Sequence, residues 1–393
     1  MKLIVLELFA GAAGASHALR QLGIPDEDCL TILVESGDAH PNSWVHRTLE
    51  KNFPHCTIVK DVKEVDRAFI EDLHQHHPSA VIFIPGGFPC QDLSRANRHG
   101  VGLAGARSSL AYHFVSIIAW AQDAFGMAST LWLAENVVPK RPEWQTALDE
   151  LFRCRGVLRN SAATSTCSRR RIFWANFTLG PQKDVKAAKA TSLDPGWVPL
   201  EDALIRKRVP LPQPSNKWAT FCKPFGPGRP EEWPSSYWHY PLGSYSFDNL
   251  VVPADISDHD LATVIDKVKQ GQALRSRGED FDPAARGPLV EWIHKDNHLH
   301  LLRPLHGEER RRSLGYPPGS MFPGPTAPEP FSRDDYIVGA IAGNAFPEHV
   351  VLQLLAPLAE SILHNKPLTG KLIHLIDHTG LSHQDTAPAL MEQ

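Results

Sequence analysis

Three short stretches concentrate the side chains able to do chemistry: Phe88-Pro89-Cys90-Gln91, Glu135-Asn136-Val137 and Arg169-Arg170-Arg171. A cysteine in a turn just beyond a buried strand is a candidate nucleophile, because open α/β sheets gather their chemistry at the carboxyl ends of their strands. The alternative is an inert buried thiol, a common fate of unpaired cysteine. Glu135 ends another apolar run and falls on the same sheet edge, one crossover helix away. A run of arginines is usually a solvated surface feature, but at the mouth of a strand-end site it binds phosphate or a base carbonyl.

The elements that must carry these residues follow from the apolar pattern. Residues 3–9, LIVLELF, form an apolar strand interrupted only by Glu7, and the small-residue turn 10–14, AGAAG, follows. A helix then runs to about Leu22, with Ala15, Ala18, Leu19 and Leu22 on one face and Gly23 as its C-cap. Strand, turn and helix let a ligand reach backbone N–H groups at a helix N-terminus, although the GxGxxG spacing of a dinucleotide fold is absent. A strand over 30–34 ends in Glu35, where α/β folds hold a ribose hydroxyl pair, and a strand over 57–59 precedes Asp61. Residues 80–84 predict a buried strand closed by a tight Pro85-Gly86-Gly87 break. A Gly-rich loop over 94–108 carries Arg95, Arg98 and Arg107; a helix from about Ser109 to Phe125, a strand over 130–134 and a strand over 171–177 follow. Successive strand ends on one edge predict a nucleoside-containing cofactor.

From about Thr178 the texture changes. Residues 181–241 are rich in proline and tryptophan, which excludes long regular elements without implying disorder. A loop-rich second domain is expected, with a helix near 258–270; 299–367 reads as helical again, and a frayed tail follows Ile376. Of 393 residues, 42% are hydrophobic and 21% charged, an ordinary soluble composition. No apolar run approaches about 18 residues and no cleavable leader follows Met1-Lys2, so an intracellular chain away from membranes is expected. Six cysteines without CxxC or zinc-like spacing predict reduced thiols and no metal site, and His74, His76 and His77 read as a polar helix end. The net charge of −4 does not advertise nucleic-acid binding, but a local basic groove suffices for it.

Taken in order, these stretches resemble the cytosine carbon-5 DNA methyltransferases. The resemblance rests on ELFAGAAG (7–14), GGFPCQDLS (86–94), AENV (134–137), Ser168-Arg169-Arg170-Arg171, RRSLGYP (311–317) and AGNAF (342–346). The DLS after Gln91 and the Asn97…Gly102-Leu103 spacing are similar to the animal de novo-type enzymes. Ala13, Cys167, His306, Glu308 and Phe346 depart from the family pattern; Ala13 stands where a third glycine is usual.

The resemblance implies an α/β chain: a Rossmann-like methyltransferase sheet with helices on both faces and a smaller loop-rich target-recognition domain. Residues 1–177 and 299–376 would form the catalytic part, 178–298 the recognition domain and 377–393 a tail. It further implies methyl transfer from S-adenosyl-L-methionine to carbon 5 of a cytosine flipped out of double-stranded DNA, beside a cognate restriction enzyme or none. Cys90 would add to carbon 6. Glu135 would bond the ring nitrogen beside the amino group, which calls for a raised pKa. Arg171 would hold the ring carbonyl, and Arg169 a phosphate or the nucleophile's surroundings. An unperturbed thiol of pKa ~8.5 is only a few per cent ionised near neutrality, so a Cys90 pKa lowered by a helix N-terminus or an arginine is expected. The cofactor would lie on Phe9, Ala10, Gly11, Gly14, Glu35, Asp61, Val62, Pro89, Leu110, Asn344 and Phe346.

A tRNA cytosine-5 methyltransferase would keep this chemistry on another substrate; the long segment 178–298 favours DNA. An inactive nucleic-acid-binding scaffold is opposed by the intact Cys90, Glu135 and Arg171. A nicotinamide-dependent oxidoreductase is opposed by the missing GxGxxG.

Overall fold

The computed structural model describes residues 3–37, 43–94, 97, 99–164, 169–183, 193–207, 250–266, 301–324, 326–329, 332–364, 366 and 372–379. Five strands run parallel: β1 (Leu3–Leu8), β2 (Cys29–Val34), β3 (Thr57–Val59), β4 (Val81–Gly87) and β5 (Thr130–Val137). β6 (Val157–Asn160) and β7 (Arg170–Ala175) complete the sheet, β7 lying antiparallel to both β5 and β6. The order is β3-β2-β1-β4-β5-β7-β6. Helices α1 (Gly14–Gln21), α2 (Trp44–Asn52), α3 (Arg67–His76), α4 (Leu110–Phe125) and α5 (Pro142–Leu151) connect these strands. A smaller antiparallel sheet joins β8 (Trp197–Pro199), β9 (Leu250–Pro253) and β10 (Arg303–Pro304), with α6 (Leu200–Arg206) and a helix α7 over 258–266 beside it. Then come α8 (Gly307–Leu314), α9 (Arg333–Asn344) and α10 (Glu348–Leu363).

The near-continuous apolar strands follow from burial on both faces, as parallel sheets require. Ile4, Leu6, Leu8, Ile82 and Ile84 pack with Ile70 of α3, Phe114 and Ile118 of α4 and Leu148 of α5. Leu3, Val5, Phe83 and Leu133 face Ala15 and Leu19 of α1 and Val351, Leu354 and Leu358 of α10. Helices therefore cover both faces, the doubly wound arrangement expected from the sequence. The small sheet has its own apolar core of Leu200, Leu204, Leu250, Val252, Leu261, Val264 and Leu302. Its third strand, at Arg303–Pro304, lies beyond the expected boundary at 298. Most of segment 178–298, including the tryptophans between 218 and 238, lies outside the described residues.

Two expected ends are corrected. β4 does not break at Pro85-Gly86-Gly87: Pro85 pairs with Leu133, Gly86 with Ala134 and Gly87 with Glu135. Glycine is required at 86 because a Cβ there would lie 2.8 Å from the Leu8 carbonyl oxygen, so β1 and β4 approach too closely for a side chain. β5 likewise runs on through Glu135-Asn136-Val137, which places Glu135 on a strand rather than in a loop. At the other end of the chain, residues 372–379 lie against α4. The Gln122 side chain donates to the Ile373 carbonyl (2.7 Å) and accepts from the Leu375 amide (2.9 Å), and Trp120 Nε1 donates to Asp377 (2.7 Å). The expected tail at 377 is thus pinned at its first residue.

Candidate active site

The strand order reverses between β1, whose successors lie on one side, and β4, whose successor lies on the other. Ligand crevices open at such a switch point, beyond the carboxyl ends of the strands. Here the turn after β1 meets the turn after β4. In the first, Phe9, Gly11 and Ala13 all adopt left-handed backbone, each with φ of 54°. Ala13 does so with a Cβ, at a cost of about 1 kcal/mol that the family's usual glycine avoids. The turn is held to β2: the Ala10 amide donates to the Val34 carbonyl (3.0 Å) and the Gly11 amide to Glu35 Oε2 (2.8 Å). Glu35 Oε1 accepts the Gly37 amide (2.9 Å), so this half-buried carboxylate sits rigidly at the strand end. Asp61 is exposed and caps a short helical turn by accepting the Lys63 amide (3.0 Å). Val62 is buried beside it, with its carbonyl against His113 Nε2 of α4 (2.8 Å). Leu110 opens α4, and Phe9 packs edge-to-face on Phe114 at 6.4 Å.

Asn344, exposed, ends α9, and its carbonyl oxygen lies near Gly11. Phe346 is buried between the two turns. A Cβ on Gly14 would lie 3.0 Å from its Cβ, and a Cβ on Gly87 2.7 Å from its Cε1. The two glycines make the slot that this ring fills. Glu7, the odd charge in β1, was not assigned a role from sequence. Fully buried, it caps α1 by accepting the Ala15 amide (3.0 Å), the Ser16 amide (2.9 Å) and the Ser16 hydroxyl (2.6 Å). Burial pushes its carboxyl up to about 7, against the pull of those hydrogen bonds. A lone acid in a seven-residue apolar run, eight residues before a helix's first turns, was the available signal.

Beyond β4 three consecutive carbonyls are held in place. Asn136 Nδ2 donates to the Phe88 carbonyl (2.9 Å), Ser108 Oγ to the Pro89 carbonyl (3.1 Å), and the Leu93 and Ser94 amides to the Cys90 carbonyl (3.0 and 2.9 Å). Cys90 is half-buried in this turn. Glu135 and Arg171 form a diagonal cross-strand pair on β5 and β7, since Glu135 pairs with Phe173 and Val137 with Arg171. Arg171 Nε lies 2.7 Å from Glu135 Oε1, both groups buried. Arg169 is also buried and its Nη2 donates to the carbonyls of Gly343 (3.1 Å) and Ala345 (2.8 Å). Its position is therefore that of a tether on the turn after α9, not of an open phosphate ligand.

Burial pushes the Glu135 carboxyl up, and Arg171 and Arg169 only partly offset it. This agrees with the raised pKa expected. The Cys90 thiol goes the other way from expectation. Its burial pushes it up, Arg171 pulls it down, Glu135 pushes it up again, and the upward effects win. The expectation weighed nearby positive charge and left out desolvation; moreover, only a single turn follows Cys90, not a helix. Arg95, Arg98, Cys167 and Ser168 lie outside the described residues.

Ligand atoms of Asp194, His306 and Glu309 also converge. There, however, Arg303 donates to both oxygens of Glu309 (2.6 and 2.8 Å) and Arg312 Nη2 lies 2.5 Å from Asp194. Guanidinium groups already neutralise these acids, and the cluster ties the residue 194 segment to α8.

Among known proteins, the C-5 cytosine-specific DNA methylase family matches residues 3–138. The type II methyltransferase M.HgiGI of Herpetosiphon aurantiacus is 33% identical over 122 residues, 30% of this chain and 83% of that protein. The type II methyltransferase M.Eco47II of Escherichia coli is 33% identical over 134 residues, 34% of this chain and 27% of that protein. The chain thus spans about a quarter of that relative's length. The solved structure of the Entamoeba histolytica methyltransferase EhMeth shares the fold, with a TM-score of 0.51 and 13% identity over 93% of this chain and 99% of that one. With the matched residues running from β1 through the Cys90 turn to the end of β5, the chain belongs to the C-5 cytosine-specific DNA methylase family.

Proposed function

We propose that the chain transfers a methyl group from S-adenosyl-L-methionine to carbon 5 of cytosine in double-stranded DNA, through a covalent adduct at Cys90. The observation that carries this reading is the convergence of Cys90, Glu135 and Arg171 on one sheet edge, beside the left-handed turn after β1. The residues present fit an adenosyl-containing donor. The small residues of the Phe9–Gly14 turn allow close backbone approach, Glu35 offers a fixed carboxylate for ribose hydroxyls, and Asp61 and Val62 a polar and an apolar contact for the base. Pro89, Leu110, Asn344 and Phe346 would complete the donor's contacts. When bound, the donor supplies an electrophilic methyl group.

The chain's own residues must make carbon 5 nucleophilic. Cys90 Sγ, as thiolate, forms a bond to carbon 6, and the ring's π electrons shift toward carbon 5. Glu135, in the protonated form that burial favours, donates to the ring nitrogen beside the amino group and offsets the charge that develops there. Arg171 orients Glu135 and directs its remaining N–H groups to the ring carbonyl. After transfer, solvent water takes the carbon-5 proton, the freed electron pair re-forms the ring double bond and expels Cys90 as thiolate, and the proton on the ring nitrogen returns to Glu135. Arg169 positions the turn that carries Phe346. The target atoms are covered by stacking in a duplex, so the base must be flipped out, and segment 178–298 reads the flanking sequence. The relatives include type II methyltransferases and a plant DNA (cytosine-5)-methyltransferase, so the partner is a cognate restriction enzyme or none.

Incubation of the full chain with methyl-labelled donor and either duplex DNA or transfer RNA tests this reading. Label should enter DNA with the wild type and not with Cys90→Ser, while donor binding by calorimetry is retained in both. Labelling of transfer RNA alone, or label in DNA with Cys90→Ser, would overturn it.

A further inference from the structure

Ser108 is completely buried two residues before α4, yet its hydroxyl does not serve that helix. α4 starts without a side-chain cap, and the neighbouring Ser109 hydroxyl turns back locally to the Ala106 carbonyl (3.1 Å). The Ser108 hydroxyl instead reaches across 19 residues of sequence to donate to the Pro89 carbonyl (3.1 Å). That carbonyl belongs to the peptide plane joining Pro89 to Cys90. Because the plane is rigid, holding its oxygen restrains the rotation that would swing the Cys90 Cα–Cβ bond. Asn136 and the Leu93 and Ser94 amides hold the carbonyls on either side. Among these donors Ser108 acts on the peptide plane that enters Cys90, and the Leu93 and Ser94 amides on the plane that leaves it.

We propose that Ser108 is a positioning residue for Cys90, its hydroxyl fixing the Pro89–Cys90 peptide so that Sγ meets the substrate carbon. The effect on methyl transfer rests on the function proposed above; the effect on the thiol does not. Reacting atoms must be held within a narrow range of distance and angle, so a loosened turn slows the transfer. The same loosening exposes a half-buried thiol and speeds its reaction with a small reagent. One substitution should therefore move two reactions of one sulfur in opposite directions.

The full chain with Ser108→Ala is compared with wild type and with Ser109→Ala, whose hydroxyl bonds only locally. Methyl transfer kinetics are measured, and iodoacetamide alkylation of each cysteine is followed by peptide mass spectrometry. In Ser108→Ala, kcat should fall roughly 3- to 10-fold, the scale of one hydrogen bond, with KM values within about two-fold of wild type. Alkylation of Cys90 should rise several-fold while Cys29, Cys56 and Cys154 keep their rates. Ser109→Ala should change neither reaction. Unchanged Cys90 alkylation in Ser108→Ala overturns the proposal, as does a parallel rise at Cys29, Cys56 and Cys154 or an equal effect of Ser109→Ala. If the wild type methylates no DNA yet Cys90 alone gains reactivity in Ser108→Ala, the positioning role stands and the functional reading falls.

Discussion

Cys90 and Glu135 are two acids whose burial pushes both upward, with Arg171 close to each. Catalysis needs the thiolate together with the protonated carboxyl. The active pair therefore holds one proton between two coupled groups, and its titration belongs to the pair. The profile of kcat/KM should rise as pH passes the Glu135 value, stay level, and fall as pH passes the Cys90 value. Glu135→Gln removes the need for that proton. Its rate near neutrality should drop roughly 10²- to 10⁴-fold, the usual contribution of general acid–base catalysis, and then climb with pH through the thiol's raised value with no falling limb. Stopped assays from pH 6 to pH 10 check this; a falling limb that survives in the variant would contradict the assignment. The identities of these residues were legible from type and order along the chain. The direction of the Cys90 shift was not, because its desolvation comes from the buried core cluster that only the fold packs against it.

At the scale of elements, β4 and β5 matter most, since they carry the nucleophile turn and Glu135 in adjacent register. The two glycines that end β4 serve different ends. A Cβ on Gly86 would meet the Leu8 carbonyl at 2.8 Å, whereas one on Gly87 would meet Phe346 at 2.7 Å and Glu135 Oε2 at 2.9 Å. Each substitution to alanine should cost about 1–3 kcal/mol of stability through overpacking. Gly87→Ala should also reduce methyl transfer at least ten-fold beyond Gly86→Ala, as seen by comparing thermal unfolding with turnover. Equal activity in the two variants would contradict the placement of Glu135. Most strands were readable because an apolar run buried on both faces has few other fates. The ends of β4 and β5 were not, because Pro-Gly-Gly and Glu-Asn-Val have the composition of breaks and are held in the sheet by their neighbours. The donors that fix the site were equally hidden: Asn136 to Phe88 spans 48 residues and Arg169 to Ala345 spans 176.

For the whole molecule, the buried acids predict how stability responds to pH. Burial raises Glu7 to about 7, with Glu7 and Glu348 repelling one another, and Glu348 to about 9. Both exceed their value in the unfolded chain, so the fold favours their protonated forms. Any destabilisation from this source is absent below about pH 4.5 and grows as pH rises through 7 and then 9. The melting temperature should accordingly fall by several degrees between pH 6 and pH 9.5, with Glu348→Gln flattening the upper part of the decline and Glu7→Gln the lower. The strap over α4 makes a second prediction at this scale. Gln122→Leu strands the Ile373 carbonyl and Leu375 amide, and should cost about 1–3 kcal/mol in denaturant unfolding. The doubly wound sheet was legible from alternating strand and helix patterns, and the family from six motifs in order; the strap was not, because its few apolar residues acquire meaning only against α4. Bisulfite sequencing of DNA from methylation-free cells expressing the chain, beside a Cys90→Ser control, tests the central claim most directly. The account predicts protected cytosines with the intact cysteine and none with the serine. Protection that persists without Cys90, or no protection with it, would contradict covalent transfer to DNA.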